Sequence, residues 1–182
     1  MQSLARCLEQ GGVLSLAEVT AAAQPFLAAI LRREFPNRPI VVVAEGLKAQ
    51  ESFHQDLTTW LQGAGSENAP DAQPSAREPA FYPSWEILPH EGRLPHLDVI
   101  SERLQTLVAL TRWSVESAKE SPPGEPRASF LLQGAPAAPV VVTSVVALLQ
   151  RTFPQKALQA RTRTLRRGLR LEPLDLVEWL EE

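Results

Sequence analysis

With 182 residues, 44% hydrophobic and 21% charged, the chain can bury one sizeable core and has the composition of a folded globular protein. Its formal net charge of −3 is too small to predict a polyanion or a membrane as partner of the whole molecule. A single cysteine, Cys7, excludes an internal disulfide and a cysteine-based zinc cluster, and no apolar run approaches the roughly 18 residues that a membrane span needs.

The stretch Met1–Gly12 carries Arg6 and Glu9 and lacks the long apolar centre of a signal peptide, so the sequence reads as cytoplasmic. Its spacing predicts a short helix with Leu4, Cys7 and Leu8 on one face, broken by Gly11-Gly12. Val13-Leu14-Ser15-Leu16 follows as a short buried strand. Pro25 suits the first turn of a helix, where its missing N–H costs nothing. Phe26, Leu27, Ile30, Leu31 and Phe35 continue at helical spacing until Pro36-Asn37.

Pro39–Ala44 contains a β-branched run typical of a parallel strand covered on both faces. A helix over Leu47–Gln62 buries Phe53, Leu57, Trp60 and Leu61, and the polar stretch Gly63–Glu78 reads as a loop. Ala80-Phe81-Tyr82 is a third strand. A helix over Leu97–Arg112 has Val99, Ile100, Leu104, Leu107, Val108 and Leu110 as its apolar positions, and proline-rich Ser114–Pro139 is a second loop. Val140-Val141-Val142 is a fourth strand, after which Thr143 or Ser144 caps a helix reaching about Arg151. Arg161–Arg170 alternates basic and apolar residues as an exposed strand does, and Leu174–Leu180 begins another helix.

Alternating strands and helices define an α/β fold with a parallel sheet flanked by helices on both faces. A boundary near Phe153-Pro154 divides the chain into residues 1–153 and 154–182.

In nucleoside triphosphatases the turn after the first strand carries glycines for close backbone approach, a lysine for the phosphates and a hydroxyl for magnesium. Here it reads Ala17-Glu18-Val19-Thr20-Ala21-Ala22-Ala23-Gln24-Pro25, with no glycine, no lysine and an acid close to where phosphate would sit. Thr20, Ala21, Ala22, Ala23 and Gln24 therefore read as a degenerate phosphate loop that holds no nucleotide, and neither a cofactor nor a metal is expected.

Three further stretches carry a resemblance. Phe81-Tyr82-Pro83-Ser84-Trp85-Glu86-Ile87-Leu88-Pro89-His90-Glu91 resembles the P-x-W-E-x-L-P-Y-D/E motif of transcription-repair coupling factors (Mfd). Pro95–Leu104 resembles that family's S-P-H-x-D-I-x-S-x-R-L, and Val140–Arg151 its V-V-V-x-P-V-x-A-L-L-Q-R, in the same order and apart from the lengthened loop between Trp113 and Pro139 at the same spacing. The resemblance implies a helicase-like domain similar to the excision-repair protein UvrB over residues 1–153, with a decayed phosphate loop. It implies that residues 154–182 begin a small inserted α+β domain that binds UvrA, since Thr164–Leu171 is similar to that domain's opening strand. It further implies a non-catalytic scaffold recruiting UvrA to stalled RNA polymerase. The resemblance also implies that ATP, magnesium and DNA translocation belong to a distant motor of the full-length relative, with an intramolecular contact between that motor and this module as an expectation.

Arg161, Arg163, Arg166, Arg167 and Arg170 are dense for an acidic protein and are the candidate partner-facing residues; a solvated face and phosphate contact are the alternatives. Trp85, with Phe81 and Tyr82, reads as core rather than a base-stacking platform, because no basic residue is interleaved with it. Glu86, His90, Glu91, His96 and Asp98 have atoms for metal or acid–base chemistry, but prolines and a glycine keep them off a common helix face. Asp98 and Glu102 favour the positive start of a helix, and Arg103 is placed to pair nearby. A UvrB-like ATP-dependent enzyme domain that binds nucleic acid is the competing function.

Overall fold

The structure, a computed structural model, describes residues 2–63, 78–87, 92–119, 138–165 and 167–181. In chain order they form α1 (Gln2–Gln10), a 3-10 turn (Ala21–Ala23), α2 (Gln24–Glu34), β1 (Ile40–Ala44), α3 (Leu47–Gly63) and β2 (Ala80–Tyr82). Then come α4 (Leu97–Lys119), β3 (Val140–Ser144), α5 (Val145–Leu149), α6 (Gln155–Ala160) and α7 (Pro173–Glu181). Pro25 lies in the first turn of α2, and Arg32 and Arg33 occupy its last turn, where the helix dipole favours cations.

The three strands are parallel in the order β1–β3–β2. Central β3 pairs Val140 with Ile40 and Ser144 with Ala44 on one side, and Thr143 with Tyr82 on the other. All five of its residues are buried, as a strand with neighbours on both edges and layers on both faces requires. On one face, Val140 and Val142 pack with Ala28 and Ala29 of α2 and Leu57 of α3, flanked by Ile40, Val42, Phe53 and Leu61. On the other, Val141, Tyr82 and Ala147 form a second cluster against Leu107 and Leu110 of α4.

A side chain stitches the sheet from above. Gln50, wholly buried on α3, donates from Nε2 to the Tyr82 and Val142 carbonyls, each at 3.0 Å. Thr143 Oγ1 donates to the same Tyr82 carbonyl at 3.0 Å. Ser144 caps α5, its Oγ accepting from the Ala147 N–H at 3.3 Å.

The structure corrects several expectations. Val13–Leu16 forms no strand, and Val13 is 100% exposed. Gly11 and Gly12, at φ +76° and +136°, turn the chain out of α1, and no described strand lies alongside to satisfy its backbone. The predicted parallel sheet thus has three strands among the described residues, not four. β1 is covered on one face only: Val41 and Val43 are exposed, because α4 lies over β2 and β3 and stops short of β1. α4 runs to Lys119, past the expected end at Arg112, since Trp113 and Val115 keep up its half-buried spacing. The remainder of the Ser114–Pro139 loop, residues 120–137, lies outside the described residues, as do 64–77 of the first loop.

Arg161–Arg170 is not a strand where it is described: a turn with Gly168 at φ +87° interrupts it, and nothing pairs with its backbone. A lone strand gains no ladder hydrogen bonds, so alternating side chains alone do not make one. Helix α7 matches the expected Leu174–Leu180. Trp60, expected in the core, is half exposed and rests against the Phe26 ring at 4.8 Å between centroids.

Candidate functional site

The turn expected to be a degenerate phosphate loop follows no strand, since Val13–Leu16 forms none, and is built by local bonds. Val19 N–H donates to the Leu16 carbonyl at 3.2 Å, Ala23 N–H donates to Thr20 at 2.9 Å, and α2 starts at Gln24. Thr20, Ala21, Ala22, Ala23 and Gln24 are all exposed, and the Thr20 side chain makes no capping bond. Three methyl groups and the exposed Glu18 face solvent where a phosphate cradle needs bare backbone amides.

The strongest constellation lies on the other side of the sheet. Arg103, only 1% exposed, projects from α4 toward the end of β2. Its Nη1 donates to the Pro83 carbonyl at 2.6 Å and its Nη2 to the Tyr82 hydroxyl at 2.7 Å. Its guanidinium carbon lies 4.2 Å from the centroid of the Tyr82 ring and 4.2 Å from that of Trp85. A longer contact, 3.4 Å, links Nη1 to Gln150 Oε1, which also accepts the Trp85 N–H at 2.7 Å. Thr106 adds a bond from Oγ1 to the Phe81 carbonyl at 2.9 Å.

The chemistry of this node is that of a lock. No carboxylate among the described residues pairs with Arg103, and its Nε is buried without a partner. Burial lowers the pKa of the guanidinium, and the Tyr82 hydroxyl opposes that shift; an arginine nonetheless remains charged. Two aromatic faces and carbonyl or hydroxyl acceptors take the place of a counter-ion, and a desolvated cation over one ring is worth about 2 kcal/mol. The Tyr82 hydroxyl is engaged by Arg103 Nη2, and the node joins three segments of chain.

Sequence spacing placed Arg103 in a nearby ion pair, and that expectation is corrected here. The missed signal is its position: Val99, Arg103, Thr106, Leu107 and Leu110 share the buried face of α4, so the arginine stands where a core residue belongs. Trp85 is half-buried as expected for packing, but a basic group does reach it, from α4 rather than from its own stretch. His96 and Asp98 meet at the surface, Nδ1 to Oδ2 at 3.3 Å, and Glu86 is exposed. His90 and Glu91 lie outside the described residues. Among the described residues no three His, Cys, Asp or Glu side chains gather as a metal site.

Arg161, Arg163, Arg167 and Arg170 are exposed; Arg166 lies outside the described residues. They follow α6, whose Leu158 is buried where that helix packs against α4. Beside β1 an apolar cleft of about 210 Å³ opens, lined by Val41, Tyr82, Leu107, Val141, Ala147 and Leu148. No described helix is long and apolar enough to cross a membrane.

The fold and node define a parallel α/β unit stapled by a buried arginine and followed by a basic surface segment. No family model and no solved structure matches the chain. Among curated proteins, it is 33% identical over 135 residues to the transcription-repair-coupling factors of Mycobacterium bovis and Mycobacterium tuberculosis. The match takes in 74% of this chain and 8% of each of those proteins, so it spans less than a tenth of their length.

Proposed function

We propose that the chain is a non-catalytic amino-terminal module of a transcription-repair coupling factor, serving as a scaffold that recruits UvrA to stalled RNA polymerase. The observation that carries this reading is the 33% identity over 135 residues with transcription-repair-coupling factors. The geometry supports it further. Tyr82–Trp85, Arg103 and Gln150, one group from each of the three motifs resembling that family, converge on one buried node. A buried lock built from these three stretches suits a scaffold, and the exposed methyl groups of Ala21–Ala23 favour a scaffold without nucleotide.

On this reading residues 1–153 form the UvrB-like unit, and 154–182 begin the UvrA-facing one. Arg161, Arg163, Arg166, Arg167 and Arg170 supply the positive surface. Contacts with DNA and RNA polymerase, and the ATP and magnesium of a motor, belong to the longer protein. The open apolar side of β1 is suited to packing against its other domains. The test is equilibrium binding of UvrA to the folded chain, beside a variant in which the exposed arginines are replaced by glutamate. Binding that the replacement weakens supports the reading, whereas a folded chain that does not bind UvrA at low salt overturns it.

A further inference from the structure

The chain between the sheet and the arginine-bearing segment is held at two points. One is Gln150, which leaves α5 at φ −83° and ψ 145° and whose side chain grips the backbone of Trp85 through Oε1 at 2.7 Å and Nε2 at 3.4 Å. The other is Leu158 of α6, buried as that helix packs against α4. α6 is then closed off by Arg161 N–H on the Ala157 carbonyl at 3.2 Å and by Thr162 Oγ1 on the Leu158 carbonyl. Beyond Thr162 the described arginines are exposed, and α7 buries no residue. Leu171, Leu176 and Trp179 are only half-buried, so the two pins upstream are the firmest constraint on the direction of that outer part.

The first pin depends on Arg103. Its guanidinium lies between the Tyr82 and Trp85 rings and holds the Pro83 carbonyl, which fixes the stretch that Gln150 grips. It also reaches Gln150 Oε1 directly. We propose that Arg103, acting through Gln150, is a positioning residue that fixes the direction in which the Arg161–Arg170 segment leaves the sheet, so that partner affinity depends on a side chain the partner never touches. Its partner-binding consequence rests on the reading of that segment as the UvrA-facing surface; its geometric content does not. Ordering a segment before it binds spares the cost of ordering it on binding, and losing one pin restores that cost.

The test uses the whole chain in a Cys7→Ser background, with spin labels introduced at Arg112 on α4 and Glu178 on α7, both exposed. Pulsed dipolar spectroscopy then compares the parent with Arg103→Met and Gln150→Leu. A distance distribution about twofold broader in a variant whose circular dichroism matches the parent is the expected result. UvrA binding about tenfold weaker in Gln150→Leu, with every arginine in place, is expected alongside it. If Arg103→Met fails to fold, Gln150→Leu carries the comparison, since it removes the grip on Trp85 and leaves the stacked guanidinium in place. A folded Gln150→Leu chain with the parental distance width overturns the proposal. Arginine-to-glutamate replacements that leave UvrA binding unchanged sink the partner reading instead, and the distance widths still decide the positioning role.

Discussion

The side-chain amide of Gln150 meets both backbone polar groups of Trp85, its Oε1 accepting the N–H at 2.7 Å and its Nε2 donating to the carbonyl at 3.4 Å. The amide thereby imitates a neighbouring strand for a stretch that has just left β2. Behind it, Arg103 fills the space between the Trp85 and Tyr82 rings. Backbone that leaves a sheet must find new partners or remain in water, and here two long polar side chains supply them.

Replacing Arg103 is predicted to cost far more than a surface substitution. Arg103→Met strands the Pro83 carbonyl and the Tyr82 hydroxyl and empties the stack, a loss of about 3 kcal/mol. Arg103→Lys recovers only part, because an ammonium lacks the planar fork that bonds at two sites while stacking. Urea denaturation of the three chains checks both statements; a lysine variant as stable as the parent contradicts them.

The same substitution on two strands should separate a covered face from an open one. Val142→Thr buries a hydroxyl on fully enclosed β3 and should cost about 2 kcal/mol. Val41→Thr, at a position 54% exposed on β1, keeps the branched shape in contact with water and should change stability by less than about 0.5 kcal/mol. Thermal melts of the pair decide it, and equal losses would mean that the outer face of β1 is covered.

These two positions also show how far the sequence could be read. The runs at Ile40–Ala44, Ala80–Tyr82 and Val140–Ser144 were legible as strands because apolar, β-branched sequences between turn signals have few other uses. So was the Ser144 cap, a local matter of one side chain and one amide. Which strand is central was not legible: Val41 and Val142 sit in near-identical valine runs, and only their neighbours in space distinguish them. Val13–Leu16 failed for the same reason, since a strand exists through its partner. In the arginine-bearing stretch, side-chain alternation suggests a strand but says nothing of whether another backbone lies alongside. For Arg103, charge suggests a surface ion pair, whereas its register on α4 marks it as inward-facing.

Glu102 gives a prediction in pH. Burial, and then the charge of nearby Asp98, hold its pKa above the usual glutamate value. Its contribution to stability is therefore fully present below about pH 4.3 and lost as pH rises through the elevated folded-state value. Glu102→Gln should accordingly stabilise the chain slightly at pH 7, by under about 0.5 kcal/mol because the group is partly solvated, with the gain vanishing near pH 4. Melting temperatures of both chains across that range check it; a variant less stable at pH 7 reverses the sign and contradicts the assignment.

The proposed role rests on recruitment of a repair partner through the exposed arginines. Calorimetric titration of UvrA into the chain tests it most directly, repeated with Arg161, Arg163, Arg167 and Arg170 replaced by glutamate. The account predicts saturable binding to the parent that weakens with added salt and falls at least about tenfold on replacement. A folded parent chain that shows no binding, or binding that the four replacements leave unchanged, contradicts it.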